Sequence, residues 1–191
     1  TWEIIRIDTP VEECLRRDAA RDKPVGRHVI IGMALQYGLY PKPEKGFVLC
    51  DIDGTLADVT HRRHFVQQEP KDWDGFHAAM GADTLREDVQ EQVYTYDQQG
   101  YEVFFISGRP DNYRTATERW LRHTVGWLAP TVFMRRAGDH RPDTVVKEEM
   151  LQTYFPNHSW VYKIIDDRPS VIAMWRSHGL EVIDVGDGKA F

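Results

Sequence analysis

The stretch Phe47-Val48-Leu49-Cys50 constrains the fold more than any other. Four apolar residues in succession, with no polar alternation, predict a strand buried on both faces, and such strands belong to parallel sheets packed between helices. The run breaks off into Asp51-Ile52-Asp53-Gly54-Thr55-Leu56. With one residue between them, Asp51 and Asp53 point to one side if strand geometry persists, at the carboxyl end where open α/β sheets place their ligands. Two carboxylates about 4 Å apart would repel by roughly 4 kcal/mol at an effective dielectric near 20, so the pair calls for a cation, a proton or a functional use. A plain Asp-Gly turn is the alternative reading.

At 191 residues the chain can bury one substantial core and a small accessory segment. No apolar run approaches the roughly eighteen residues needed to span a bilayer, and no secretory signal pattern occurs, so no membrane partner is expected. Cys14 and Cys50 fit no metal spacing, which favours a reduced, cytoplasmic setting. The net charge of −6 argues against a globally basic nucleic-acid binder but leaves room for a local basic site. From Arg109 to Arg141, seven arginines stand against three acids, a stripe that could guide a nucleic-acid strand or merely solvate a helix face. No aromatic platform for a base stands out.

Residues 1 to 46 read as a separate piece. A strand is expected at Glu3 to Ile7, a helix from Pro10 through Val11, Leu15 and Ala19, and a second helix over Gly26 to Tyr37, with a Pro/Gly linker at 41 to 46. Beyond the Asp51 strand, residues 58 to 83 are polar and irregular, with Trp73, Phe76 and Met80 available for a small satellite core. A helix with apolar positions Leu85, Val89, Val93 and Tyr96 follows, ending at Gly100. The next apolar run, Tyr101 to Ile106, predicts a strand that ends in Ser107-Gly108-Arg109, with Pro110 opening a helix. A serine and a helix N-terminus at a strand end would make a phosphate site. Thr131 to Met134 predicts a third strand, and a helix near Asp143 carries Lys147. Trp160 to Ile165 predicts a fourth strand ending in Asp166-Asp167, a hard-oxygen pair suited to Mg²⁺. A helix from Pro169 and a strand over Leu180 to Val185 complete the chain.

Asp-x-Asp-Gly-Thr after a strand, Ser107, Lys147 and the Asp166-Asp167 pair, in that order, resemble the four motifs of the haloacid dehalogenase (HAD) superfamily. The resemblance covers residues 47 to 191 and implies an α/β fold: a Rossmann-like parallel sheet flanked by helices, with a small cap insertion at about 59 to 83. The match is more specific still. Arg62 downstream of the first motif, Ser-Gly-Arg, the Arg-x-x-Gly-Asp-x-Arg-x-Asp segment from Arg135 to Asp143, Val-Val-Lys-Glu-Glu and Ile-Asp-Asp-Arg together resemble the 3′-phosphatase half of phage-type polynucleotide kinase/phosphatases. In residues 1 to 46, the cluster Arg16, Arg17, Arg21, Lys23 and Arg27 is similar to the lid of the P-loop kinase half, although a solvated helical hairpin fits as well. No G-x-x-x-x-G-K-[ST] occurs, so 5′-kinase activity is not expected of this chain, and the start at Thr1 leads us to expect a fragment of a longer kinase/phosphatase.

The resemblance implies a polynucleotide 3′-phosphatase with Asp51 as nucleophile and Asp53 as general acid/base. Ser107 and Lys147 would hold phosphate oxygens. Mg²⁺ would be held by Asp51, Asp53 (through its backbone carbonyl), and Asp166 or Asp167. Thr55 would orient the Asp loop beside the substrate, and Arg62, Arg109, Arg135 and Asp143 would contact phosphate and nucleotide or order the site. Partners would be 3′-phosphorylated DNA or RNA ends, with ATP or GTP entering only through a kinase portion, in the cytoplasm of a bacterial or phage-infected cell; homo-oligomerisation stays open. The competing readings are a HAD phosphatase for a small nucleotide or sugar phosphate, and a catalytically silent HAD-like module.

Overall fold

The computed structural model describes residues 9–188; the strand expected at Glu3 to Ile7 lies outside them. Two helices come first, α1 (Val11–Ala19), entered from Pro10, and α2 (Arg27–Gln36). The central strand β1 (Phe47–Cys50) is buried throughout. A short ribbon, β2 (Ala57–Asp58) with β3 (Thr84–Leu85), brackets the cap excursion, which holds the short helices α3 (His64–Gln67) and α4 (Trp73–Ala78). Then follow α5 (Glu87–Gln98), β4 (Glu102–Pro110), α6 (Arg114–Trp120), β5 (Val132–Arg135), α7 (Asp143–Tyr154), β6 (Val161–Asp166), α8 (Pro169–Ser177) and β7 (Val182–Asp184).

The five long-range strands form one parallel sheet in the order β5-β4-β1-β6-β7. β1 pairs on both edges, and its side chains alternate between two cores. Val48 and Cys50 join Val89 and Val93 of α5 and Trp120 of α6 on one face. Phe47 and Leu49 join Ile31 of α2, Met150 of α7 and Trp175 of α8 on the other. Both faces are covered, which is why the strand carries no polar alternation. The five strands of this sheet run parallel, so the ends of β1, β4 and β6 deliver Asp51, Ser107 and Asp166 to one rim.

Several boundaries differ from expectation. Leu85 lies in the β2–β3 ribbon, and the helix begins at Glu87. Pro110 opens no helix: β4 continues through it with ψ 142, a 3₁₀ turn follows, and α6 starts at Arg114. Proline also disfavours the helical region for the residue before it, which keeps Arg109 extended. A helix N-terminus therefore does not sit at Ser107. In the cap, Val66 and Phe76 join the main core and not a satellite, whereas Trp73 remains 44% exposed.

The first two helices share the sheet's core, with Ile31 and Leu35 buried among Phe47, Phe104 and Phe133. The basic cluster there is largely engaged: Arg16 and Arg17 pair with Glu13, and Arg27 donates to the Thr131 hydroxyl. No helix among the described residues is long and apolar enough to cross a membrane.

Phe47 anchors the core beneath α2, α7 and α8, packing edge-on against Tyr40, Phe104, Phe155 and Trp160. Phe47→Ala should lower the unfolding free energy in urea by about 3–5 kcal/mol. Tyr37→Ala, at a residue 65% exposed, should stay within about 0.5 kcal/mol.

Candidate active site

The rim gathers charge that the interior must neutralise. Lys147, 1% exposed on α7, places its ammonium 2.8 Å from Asp51 and 3.0 Å from Asp166, with Asp143 at 3.7 Å. Burial disfavours the lysine's charge, but Asp166 and Asp51 outweigh it and hold Lys147 well above its ordinary value. Burial pushes the Asp51 carboxyl up; Lys147 opposes this, and Asp166 and Asp167 reinforce it. The Thr55 hydroxyl donates to Asp167 at 2.9 Å and lies 3.4 Å from Asp51, so it fixes two acids and presents nothing to solvent.

Asp53 receives a separate set of cations. Arg62 donates to it at 2.6 Å and Arg109 at 2.5–3.0 Å. Both arginines also grip Asp83, Arg62 through two bonds at 2.6 and 2.7 Å, and both are wholly buried. Burial raises the cost of charging Asp53, but the Arg109 and Arg62 guanidiniums prevail and hold its carboxyl well below the usual range. Arg62 further lies 4.0 Å over the Phe76 ring and donates to the Phe76 carbonyl. Neither arginine reaches the surface; in this geometry each orders Asp53.

Arg135 closes the loop that follows β5, donating to the carbonyls of Gly108, Asp139 and Arg141 and to Asp143 at 3.1 Å. Asp143 also approaches Arg168 and Lys147, both at 3.7 Å. A cavity of about 540 Å³ opens above the rim, and Asp51, Asp53, Arg135, Asp143 and Arg168 line it. Ser107 is fully buried and off the cavity surface, its hydroxyl accepting from the Arg109 amide at 3.2 Å. Five of the seven stripe arginines are engaged within the protein: Arg109 is buried, Arg114 and Arg122 pair with Glu118, Arg135 with Asp143, and Arg141 with Asp139 and Glu149, whereas Arg119 and Arg136 are exposed.

Asp83 and His77 carry no motif in the sequence: Asp83 balances the arginine pair, and His77 lines the cavity. Trp175, in the Met174-Trp175-Arg176 run that follows Ile-Asp-Asp-Arg, donates its indole N–H to Asp166 at 3.2 Å.

Residues 45–190 match the family described as the phosphatase domain of polynucleotide kinase PNKP. The chain belongs to this family. A bifunctional polynucleotide kinase/RNA ligase from Autographa californica nuclear polyhedrosis virus, so described provisionally, is 30% identical over 130 residues, 68% of this chain and 17% of the viral protein. Two structures of the Pnkp1/Rnl/Hen1 complex superpose with TM-scores of 0.63 and 0.64 at 29% and 26% identity. The matches cover 77% and 96% of this chain but 48% and 64% of the matched chains, so this chain spans only part of its relatives' length. A class C acid phosphatase from Bacillus anthracis shares the fold, with a TM-score of 0.52 and 15% identity.

Phosphatases of the PNKP and wider HAD type are metal-dependent in general, and this rim has a fitting donor set. Asp51, Asp166 and Asp167 each bring a buried carboxylate oxygen within 4.8 Å of the others, with one lysine among them. Three carboxylates and a single ammonium leave a negative pocket suited to a hard divalent cation. Both Asp166 oxygens are engaged, Oδ2 by Lys147 and Trp175 and Oδ1 by the Arg168 amide, whereas Asp167 Oδ2 receives no hydrogen bond from the described residues. The Asp53 carboxylate faces its arginines and lies outside this group.

Gly54 adopts φ +87 and lets the backbone lie against Asp167; a Cβ there would fall 2.3 Å from Oδ2. Mg²⁺ should raise the melting temperature of the wild type and leave Gly54→Ala unmoved in a thermal-shift titration. Burial, reinforced by Arg62 and Arg109 and countered by Asp53, pushes His77 down to about 4 from 6.5. Below pH 6.5 the unfolded chain takes up a proton that folded His77 refuses. Its contribution is thus intact above pH 6.5 and is lost as pH falls toward 4, by about 3 kcal/mol, and His77→Phe should show a correspondingly flatter stability profile by urea unfolding.

Proposed function

We propose that this chain removes the terminal 3′-phosphate from DNA or RNA ends through an aspartyl-phosphate on Asp51, within an end-healing enzyme that also carries a 5′-kinase. One observation carries the reading: in a PNKP-type phosphatase domain, the Asp51 carboxylate borders an open cavity while Lys147 holds it from beneath. One of the two similar structures is described as an RNA repair complex, which favours an RNA end. Residues 1–46 would be the tail and lid of the kinase portion with its linker, and residues 47–191 the phosphatase domain. Only a kinase portion would bring ATP or GTP into play.

The Asp51 oxygen attacks the phosphorus, the P–O bond to the ribose breaks, and its electron pair leaves on the ribose oxygen, which takes a proton from Asp53. Water then attacks the acyl phosphate and gives its proton to Asp53; the P–O bond to Asp51 breaks, restoring the carboxylate and freeing inorganic phosphate. Arg62 and Arg109 favour the charged form of Asp53, the form that accepts the proton of the attacking water. Lys147 offsets charge on Asp51 and the phosphoryl oxygens, and Ser107 with the Arg109 amide orders the end of β4 beside them. Mg²⁺, held by Asp51, the Asp53 backbone carbonyl and Asp167, would supply further charge compensation for the phosphate. Asp166 would anchor Lys147.

Matched oligonucleotides phosphorylated at the 3′ or the 5′ end test the reading, with Mg²⁺ or chelator, for wild type and Asp51→Asn. The expected result is metal-dependent release from the 3′ end alone, reduced at least about 10³-fold in the variant. Release from neither end, with small phosphate esters still hydrolysed, would instead establish a small-ester phosphatase.

A further inference from the structure

The cavity above Asp51 has a wall of rings contributed from two distant parts of the chain. Trp73 and His77 of α4 stack with centroids 6.2 Å apart and planes 26° from parallel. His77 continues to Tyr113 at 5.3 Å and 37°. All three line the cavity that contains Asp51 and Asp53.

Core packing accounts for only part of this wall. Phe76, 2% exposed, fills the core beneath the cap, but Trp73 remains 44% exposed on the cavity side. His77 is 9% exposed, and its Nδ1 has no hydrogen-bond partner among the described residues. A buried polar atom without a partner is rare and calls for a ligand or water. The imidazole, held neutral by burial and the neighbouring arginines, offers one donor and one acceptor. Lys71 sits 5.8 Å over the Trp73 ring at the same cavity, a cation beside an aromatic face.

Flat rings, a neutral hydrogen-bonding atom and a nearby cation suit a planar heteroaromatic group attached to a phosphodiester chain. We propose that Trp73, His77 and Tyr113 form a stacking subsite for the terminal nucleobase of the strand whose phosphate faces Asp51, with Lys71 beside the next phosphate. This inference rests on the 3′-phosphatase reading and specifies the substrate as an end that carries a base.

The test compares two oligonucleotides, one with its 3′-phosphate on an ordinary nucleotide and one with it on an abasic residue. Wild type should favour the base-bearing end about 10-fold in kcat/KM, mainly through KM, and Trp73→Ala should shrink that ratio below about 3-fold. Tyr113→Leu should act in the same direction. In parallel, calorimetry on Asp51→Asn should find nucleoside 3′-monophosphate bound about 10-fold more tightly than ribose 3-phosphate, a preference lost when Trp73→Ala is added. Equal treatment of both ends and both ligands by wild type, or a Trp73→Ala loss that leaves the ratio intact, would overturn the subsite. Absence of turnover with the binding preference retained would support the subsite while refuting the 3′-phosphatase reading.

Discussion

A single ammonium group, that of Lys147, makes the rim of this sheet tenable. Parallel pairing of β1 with β6 aligns Cys50 with Ile165, and the Asp51 amide bonds the Ile165 carbonyl, so the acids that follow must converge. Without a cation between them, their repulsion inside the protein would oppose the pairing that builds the sheet. Lys147 reaches from α7 to both strand ends, and Trp175 of α8 adds its N–H to Asp166. Helices on one face of the sheet thus hold the charges at its edge.

The second charged cluster follows a different logic. Arg62, Arg109 and Asp83, all buried, form with the half-buried Asp53 a quartet of two cations and two anions. Buried ion pairs are often no more stabilising than well-packed apolar residues of the same volume, so stability alone is a poor account of the quartet. Its geometry supplies a better one. Arg62 enters from the cap and Arg109 from the end of β4, so the orientation of Asp53 depends on the cap being seated on the sheet.

Much of this arrangement was legible in the residues. Apolar runs that stop at acids or serine announce strand ends, and parallel topology turns their order in sequence into proximity in space. Asp83 was not legible because its partners lie 21 and 26 residues away and no periodicity marks it. Counting charge along the arginine stripe does not reveal which side chains turn inward: Arg109 is buried while Arg136 is exposed. The ring wall was not legible for a related reason, since Tyr113 reaches His77 only through the fold. Pro110 was misplaced because its fixed φ serves an extended strand end as readily as a helix start.

The close approach of glycine to aspartate at the rim sets bounds on how such a site can diverge. A Cβ at Gly108 would fall 2.4 Å from Asp143, much as one at Gly54 would strike Asp167. The floor is therefore closed to side-chain experimentation: descendants that altered it would lose the geometry of an acid before gaining any new contact. In the cap only Gly75 is held in this way, a Cβ there falling 2.4 Å from Asp72, while Lys71 and Trp73 stand exposed at the cavity. A lineage built on this frame would keep its chemistry constant and change its clientele by rewriting the few residues overhead.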